Sequence, residues 1–307
     1  MMCIYKQREA GSRSATRASK MVPYGLALLL LLGAAGARAE WNPADVEIEV
    51  GFDEEDRERA AAYADLALKY APYLRFHKLE GLDDFCFPHN ASEYFHVRDA
   101  DDWSRQCNLD YATIHANEVP TYWHAMECGR HLHIAYWSFY GYNHNCDCCS
   151  GERNAWWEFL VVKVREWSTD PHMHEVMFGQ KEGWYTRIAG NYEVHDESHP
   201  VAYVGRAGHG FYHDSGGSNT CCYYEDTRNP GEPDHYMMTW NNLVELRKDE
   251  YGEDWMLEPG THHWSGLQVP TFRDNWDLCN LLGCDGSFLQ VCTKCGCAKS
   301  DIGDDPF

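Results

Sequence analysis

The chain has 307 residues, 44% of them hydrophobic, with 26 Lys+Arg against 48 Asp+Glu and a formal net charge of −22. So acidic a balance repels phosphate backbones and anionic lipid headgroups, which argues against nucleic acid as a partner. It suits cationic partners or calcium-rich water, and serves equally as a plain solubility device.

The chain opens with the layout of a secretory signal: Lys6, Arg8, Arg13, Arg17 and Lys20, an apolar stretch from about Leu26 to Leu32, and a small-x-small site at Ala37-Arg38-Ala39. Cleavage is expected after Ala39, and a start at Met21 instead of Met1 would give a shorter leader. The apolar stretch falls short of the ~20 residues a membrane span requires, and no later segment reaches that length, so no stable span is expected. The leader takes six basic residues and one acidic, leaving 20 Lys+Arg against 47 Asp+Glu, a net charge of −27, on the 268 residues from Glu40 to Phe307. The expected location is extracellular.

Next, "DEEDRERAAAYADLALKYAP" (Asp53 to Pro72) reads as a helix that starts at acidic residues and stops at a proline. The centre of the chain changes period. "HLHIAYWSFYGYN", "WWEFLVVKVREW", "EVMFGQKEGWYTR" and "HPVAYVGRAGH" are aromatic and β-branched runs separated by polar or glycine-bearing turns, the signature of consecutive strands. "TWNNLVELRKDEYG" predicts a second helix, capped by Thr239 and ending near Gly252. The fold class that follows is mainly β: an antiparallel β-sandwich with an N-terminal helix, one later helix and a disulfide-rich C-terminal tail. The domain layout is a signal peptide over 1–39, an acidic lead-in and helix over 40–72, a β-sandwich domain over 73–252, and a Cys-rich extension over 253–307.

Thirteen of the 14 cysteines lie beyond the leader: Cys86, Cys107, Cys128, Cys146, Cys148, Cys149, Cys221, Cys222, Cys279, Cys284, Cys292, Cys295 and Cys297. Behind a signal peptide they read first as disulfides. The clusters "CDCC", "CC" and "CTKCGC" are too tight to bridge internally, so they are expected to reach distant segments. The last cluster also has the ligands for zinc, which an oxidising compartment disfavours. The odd count leaves one thiol over, which allows a disulfide-linked oligomer. Asn90-Ala91-Ser92 is a glycosylation sequon on Asn90.

Along "WEFLVVKV", period two puts Glu158, Leu160, Val162 and Val164 on one face and Trp157, Phe159, Val161 and Lys163 on the other. Lys163 marks its own face as the more exposed, so Glu158 sits at the end of the buried one. An isolated carboxylate there is costly unless a cation, a donor or a metal meets it. "GRAGHGFYHDSGG" offers partners: His209 at the strand end, then His213 and Asp214, on a loop whose glycines permit close approach. Glu158, His209, His213 and Asp214 therefore form a candidate divalent-ion set, calcium or another ion, with a turn cap and hydrogen-bonded interior groups as the structural alternative. His131 and His133 share a strand face, while His172 and His174 fall in expected loops. No nucleophile elbow, phosphate loop, dinucleotide fingerprint or H-E-x-x-H helix is present.

"YAPYLRFH", "AYWSFYGYN", "WWEFLVVKV", "MFGQKEGWY", "HPVAYVGRAGHGFYHDSGG" and "YEDTRN…TWNNLVEL" together resemble the fungal vacuolar protein sorting family numbered sixty-two and its plant and bacterial relatives. That family is distantly similar to the necrosis-inducing secreted proteins, whose β-sandwich carries an Asp/His/Glu ion site. The resemblance implies that Glu158 is the motif's glutamate and His209 the histidine that ends the later strand. Where the family has Gly-Asp-Trp-Glu this chain reads Ala155-Trp156-Trp157-Glu158, and Gln-His-x-Gly becomes Gln180-Lys181-Glu182-Gly183. The site is then degenerate, or Asp147, Glu182 or Asp214 supplies the missing oxygen.

Three functions follow. The first is a secreted, disulfide-stabilised β-sandwich that binds an extracellular ligand, small molecule or surface, with a divalent metal as its one expected cofactor. The second is a secreted enzyme, a metal-assisted hydrolase or an oxidoreductase on a small aromatic substrate, with Glu158 and His209 as acid and base. The third is a structural extracellular protein.

Overall fold

The computed structural model describes residues 54–77, 86–97, 106–143, 153–180, 183–206, 208–215, 235–249, 251–258 and 268–281. The expected signal peptide, most of the lead-in, Cys146, Cys148, Cys149, Cys221, Cys222, Cys284, Cys292, Cys295, Cys297, Asp147 and Glu182 lie outside them.

The alanine-rich segment Glu54–Tyr70 forms helix α1, supported by Arg59 reaching back to Glu55 at 2.9 Å. Pro72 stops it, and its buried side, Leu66, Ala67 and Tyr70, packs on the sheets that follow. Two short helices were not expected. In α2 (Ala91–Val97) the sequon residue Asn90 acts as cap, accepting from the N–H groups of Ser92 and Glu93 at 3.0 and 3.4 Å. Asp110 caps α3 (Tyr111–His115) in the same way.

The strands make two sheets. One has six strands, β11-β2-β3-β4-β5-β6, from β2 (Thr121–Cys128), β3 (His131–Asn143), β4 (Arg153–Arg165), β5 (His172–Gln180), β6 (Gly183–Ile188) and β11 (Leu243–Glu245). The other has five, with β1 (Tyr73–Arg75), β7 (Val194–His195), β8 (His199–Val204), β9 (Phe211–Tyr212) and β10 (Tyr236–Met238). The fold is therefore mainly β and consistent with a sandwich. Both sheets are mixed rather than antiparallel, because β1 runs parallel to β8 and β11 parallel to β2.

The expected helix from Thr239 to Gly252 is instead a single 3₁₀ turn, Thr239–Asn241, leading into β11. Tertiary pairing overrides the local pattern. The Thr239 hydroxyl donates to the Pro72 carbonyl at 2.6 Å instead of capping a helix. The Asn242 carbonyl accepts from Thr121 N–H at 2.9 Å, and Leu246 N–H donates to Trp123 at 2.7 Å. His172 and His174, expected in loops, belong to β5.

Two apolar layers hold the sheets. The first lies between them, with Leu132, Ile134, Tyr136, Leu160 and Val162 meeting Leu74, Phe76, Ala202, Val204 and α1. The second covers the outer face of the six-stranded sheet, where Trp137, Trp157, Phe159 and Val161 pack under Tyr94, Trp255, Met256, Val269 and Leu278. The Lys163 face is thus not exposed: Trp157, Phe159 and Val161 are fully buried. Lys163 lies at its end, paired with Glu175 at 2.9 Å.

Two disulfides join described residues, Cys86–Cys107 and Cys128–Cys279. The first pins the Gln106 segment beside Gly141 of β3, where an added Cβ would stand 1.8 Å from the Gln106 carbonyl oxygen. Gly141 is needed for that close approach.

Candidate functional site

Glu158 is fully buried and lies on the inter-sheet side of β4 with Leu160, Val162 and Val164. Trp156, two residues earlier on the same side, donates its indole N–H to Glu158 Oε1 at 2.6 Å. Cross-strand register sets Ser138 opposite Glu158 and Tyr140 opposite Trp156.

His209 reaches this cluster from the glycine-rich loop after β8. Its N–H donates to the Gly205 carbonyl at 3.0 Å, and Gly205 N–H donates to Gly210 at 2.9 Å, which folds the loop back on itself. The ring, also fully buried, stacks on Tyr140 with centroids 3.9 Å apart and planes 7° from parallel. Tyr140 therefore touches His209 and stands opposite Trp156 across the β3–β4 pair.

His213 enters from the end of β9. Arg187 Nε donates to its Nε2 at 3.4 Å, so in the neutral ring the proton sits on Nδ1 and donates to Tyr185 Oη at 3.0 Å. The same Tyr185 oxygen accepts from His213 N–H at 2.9 Å. The half-exposed Asp214 brings a carboxylate oxygen 3.5 Å from His213 Nε2. The guanidinium of Arg187 lies 4.5 Å from the centre of the Tyr185 ring.

The structure thus joins His213 to Asp214 and sets Glu158 and His209 around Tyr140 and Trp156. It does not gather three of these four as a ligand set. Among the described residues, the group of three ligand-type side chains with donor atoms all within 4.8 Å is Glu166, Asp170 and His172, exposed on the β4–β5 turn. Sequence reasoning missed Tyr140, Trp156, Tyr185 and Arg187. Trp156 was within reach of the period-two rule; Arg187 was not, because only the meeting of β6 with the end of β9 brings it to His213.

Backbone strain marks the same place. Among the described residues, six non-glycine residues adopt left-handed φ: Asn117, Ala155, Glu166, Asp196, Glu197 and His209. Of these only Ala155, at 62°, and His209, at 58°, are buried, and both adjoin the cluster. Left-handed φ costs a Cβ-bearing residue about 1–2 kcal/mol, and strain of this kind concentrates at functional sites. Ala155→Gly is therefore expected to leave stability within about 1 kcal/mol of wild type in urea unfolding, because relief of strain offsets glycine's entropic cost and the lost burial of the Ala155 methyl. A loss approaching about 2 kcal/mol would show that Ala155 is not strained.

No family model and no curated protein matches this chain. A solved structure described as a toxin fold for microbial attack and plant defense is similar to it with TM-score 0.45 and 13% identity, over 71% of this chain and 88% of that one. NLPPya in complex with glucosamine is similar with TM-score 0.44 and 14% identity, over 71% and 88%. Necrosis and Ethylene inducing Protein 2 from the causal agent of cocoa's Witches Broom disease gives 0.37 and 15%, over 67% and 84%. The structural neighbours are necrosis-inducing toxin-fold proteins at low identity, and the expected tie to the vacuolar sorting family finds no support among them.

Proposed function

We propose that the protein is secreted and binds an extracellular ligand at the end of the sandwich where Glu158, His209, His213 and Asp214 are placed. The observation that carries this reading is the coincidence of strain and buried polarity: the two buried left-handed residues, Ala155 and His209, adjoin the fully buried Glu158. A fold does not need that combination for packing, and it holds polar side chains in fixed positions. The two disulfides support an oxidising compartment. A divalent ion, calcium or another, belongs to this reading as a bridge between ligand and carboxylates.

The test is binding of the secreted protein to arrayed extracellular glycans and lipid headgroups, beside Glu158→Gln and His209→Ala variants shown to fold by circular dichroism. Binding should fall at least about tenfold in each variant, the loss of one charge-assisted hydrogen bond, and should weaken with chelator if an ion bridges. Unchanged binding in both variants would reject this site. Turnover of a small substrate with no ligand retained would replace the reading with the enzymatic one.

A further inference from the structure

The other end of the six-stranded sheet carries a second polar cluster, on the opposite face and about 20 Å along β4 from Glu158 at ~3.3 Å per residue. β3 begins His131-Leu132-His133, and alternation puts both histidines on the outer face with Ala135 and Trp137. On β4, Arg165 pairs with His131 and Lys163 with His133. The register between β4 and β5 then shifts: Glu175 faces Lys163 but Met173 faces Val164, which leaves His174 as an extra residue in β5. Without that bulge, alternation would send His174 into the inter-sheet layer with Val176 and Phe178. Instead its ring stacks on His131, with centroids 6.4 Å apart and planes 14° from parallel. His131 and His133 are also 6.4 Å apart.

These three imidazoles line a groove of about 590 Å³ beside the Cys128–Cys279 disulfide. His133 Nδ1 lies 2.9 Å from the Leu278 carbonyl. A carbonyl only accepts, so the proton sits on Nδ1 and leaves Nε2 with a lone pair, the arrangement in which a backbone oxygen orients a metal-binding histidine. Leu278 precedes the disulfide-bonded Cys279, so the orienting carbonyl is itself covalently anchored. Lys163 is occupied by Glu175.

We propose that this groove binds a divalent transition ion, zinc or copper, through His131, His133 and His174. Imidazole is a preferred donor for both. The three donor nitrogens do not all lie within 4.8 Å of one another, so chelation at about 2.0–2.1 Å requires the half-buried His131 and His174 to turn toward Nε2 of His133, while His133 itself stays fixed.

The test is calorimetric titration of the full oxidised protein with Zn²⁺ and with Cu²⁺, comparing wild type with His131→Gln and His174→Ala. The groove ion should bind with affinity at least about tenfold weaker in each groove variant and unchanged in His172→Ala. Paramagnetic broadening by substoichiometric Cu²⁺ in wild type should reach the ring resonances of His131, His133 and His174 first, a readout that does not depend on any variant folding. Absence of Zn²⁺ and Cu²⁺ binding overturns the proposal, as does a loss that follows His172→Ala instead of the groove variants. Neither result touches the ligand-binding reading, which Glu158→Gln reports separately.

Discussion

Replacing Cys128 and Cys279 together by serine is expected to cost about 5 kcal/mol of folding stability. The bridge spans a sequence separation of 151, and closing a loop that long removes about that much chain entropy from the unfolded state at 25 °C. Cys86–Cys107, with a separation of 21, closes a much shorter loop and is worth about 3 kcal/mol on the same argument. The long bridge also holds the segment that covers the outer face of the six-stranded sheet. Val269 and Leu278 lie in its apolar layer, the Thr271 hydroxyl donates to the Met256 carbonyl at 2.6 Å, and Arg273 donates to the Trp157 carbonyl at 3.3 Å. Urea unfolding of the two double-serine variants beside wild type measures the difference. If the Cys128/Cys279 variant loses no more than the Cys86/Cys107 variant, the long bridge is not the main staple. Undocking of the covering segment alone would appear as a red shift of tryptophan emission ahead of global unfolding, because Trp137, Trp157 and Trp255 lie beneath or within it.

That segment also explains which parts of the molecule were legible in the sequence. The bounds of β3 followed from an unbroken aromatic run, and the buried side of β4 followed from alternation, so the burial of Glu158 could be read directly. The opposite face of β4 could not. Its cover comes from α2, from Trp255 and Met256, and from Val269 and Leu278, the last four roughly a hundred positions away, and Lys163 at its rim gave the impression of an open surface. The mixed character of both sheets was equally hidden, since β1 and β11 are three residues long and their parallel partners are remote in sequence. Thr239 looked like a helix cap because nothing local shows that its hydroxyl is taken by Pro72. At the candidate site, Trp156 was available from spacing alone. Tyr140 needed the β3–β4 register, and Arg187 and His174 needed the strand ends and the bulge that only the folded sheet defines.

Acidification from pH 7.5 to pH 5 is expected to cost about 2 kcal/mol through His124 alone. His124 is held between two tryptophans. Its Nε2–H donates to the Trp276 carbonyl at 3.1 Å, its Nδ1 accepts from the Trp137 indole at 3.2 Å, and its ring stacks on Trp276 at 3.8 Å. A proton can enter only at Nδ1, where it would displace the Trp137 donor. Burial, partly offset by the Trp276 carbonyl, lowers its pKa to about 4 from the ordinary 6.5. The unfolded chain therefore binds this proton first as pH falls. The stabilisation is fully present above about 6.5 and is lost progressively down to about 4. Burial lowers His133 in the same direction, and its Nδ1–H donates to Leu278 on the same covering segment. Urea unfolding at pH 7.5 and pH 5 on wild type and His124→Gln isolates the contribution: the wild-type loss should exceed the variant's by about 2 kcal/mol. Equal losses would mean that His124 takes up its proton in the folded state without breaking the Trp137 bond. With the disulfide intact, acid should loosen the packing of this segment against Trp137 while leaving it tethered to β2 through Cys128, so the change should reverse fully on return to neutral pH.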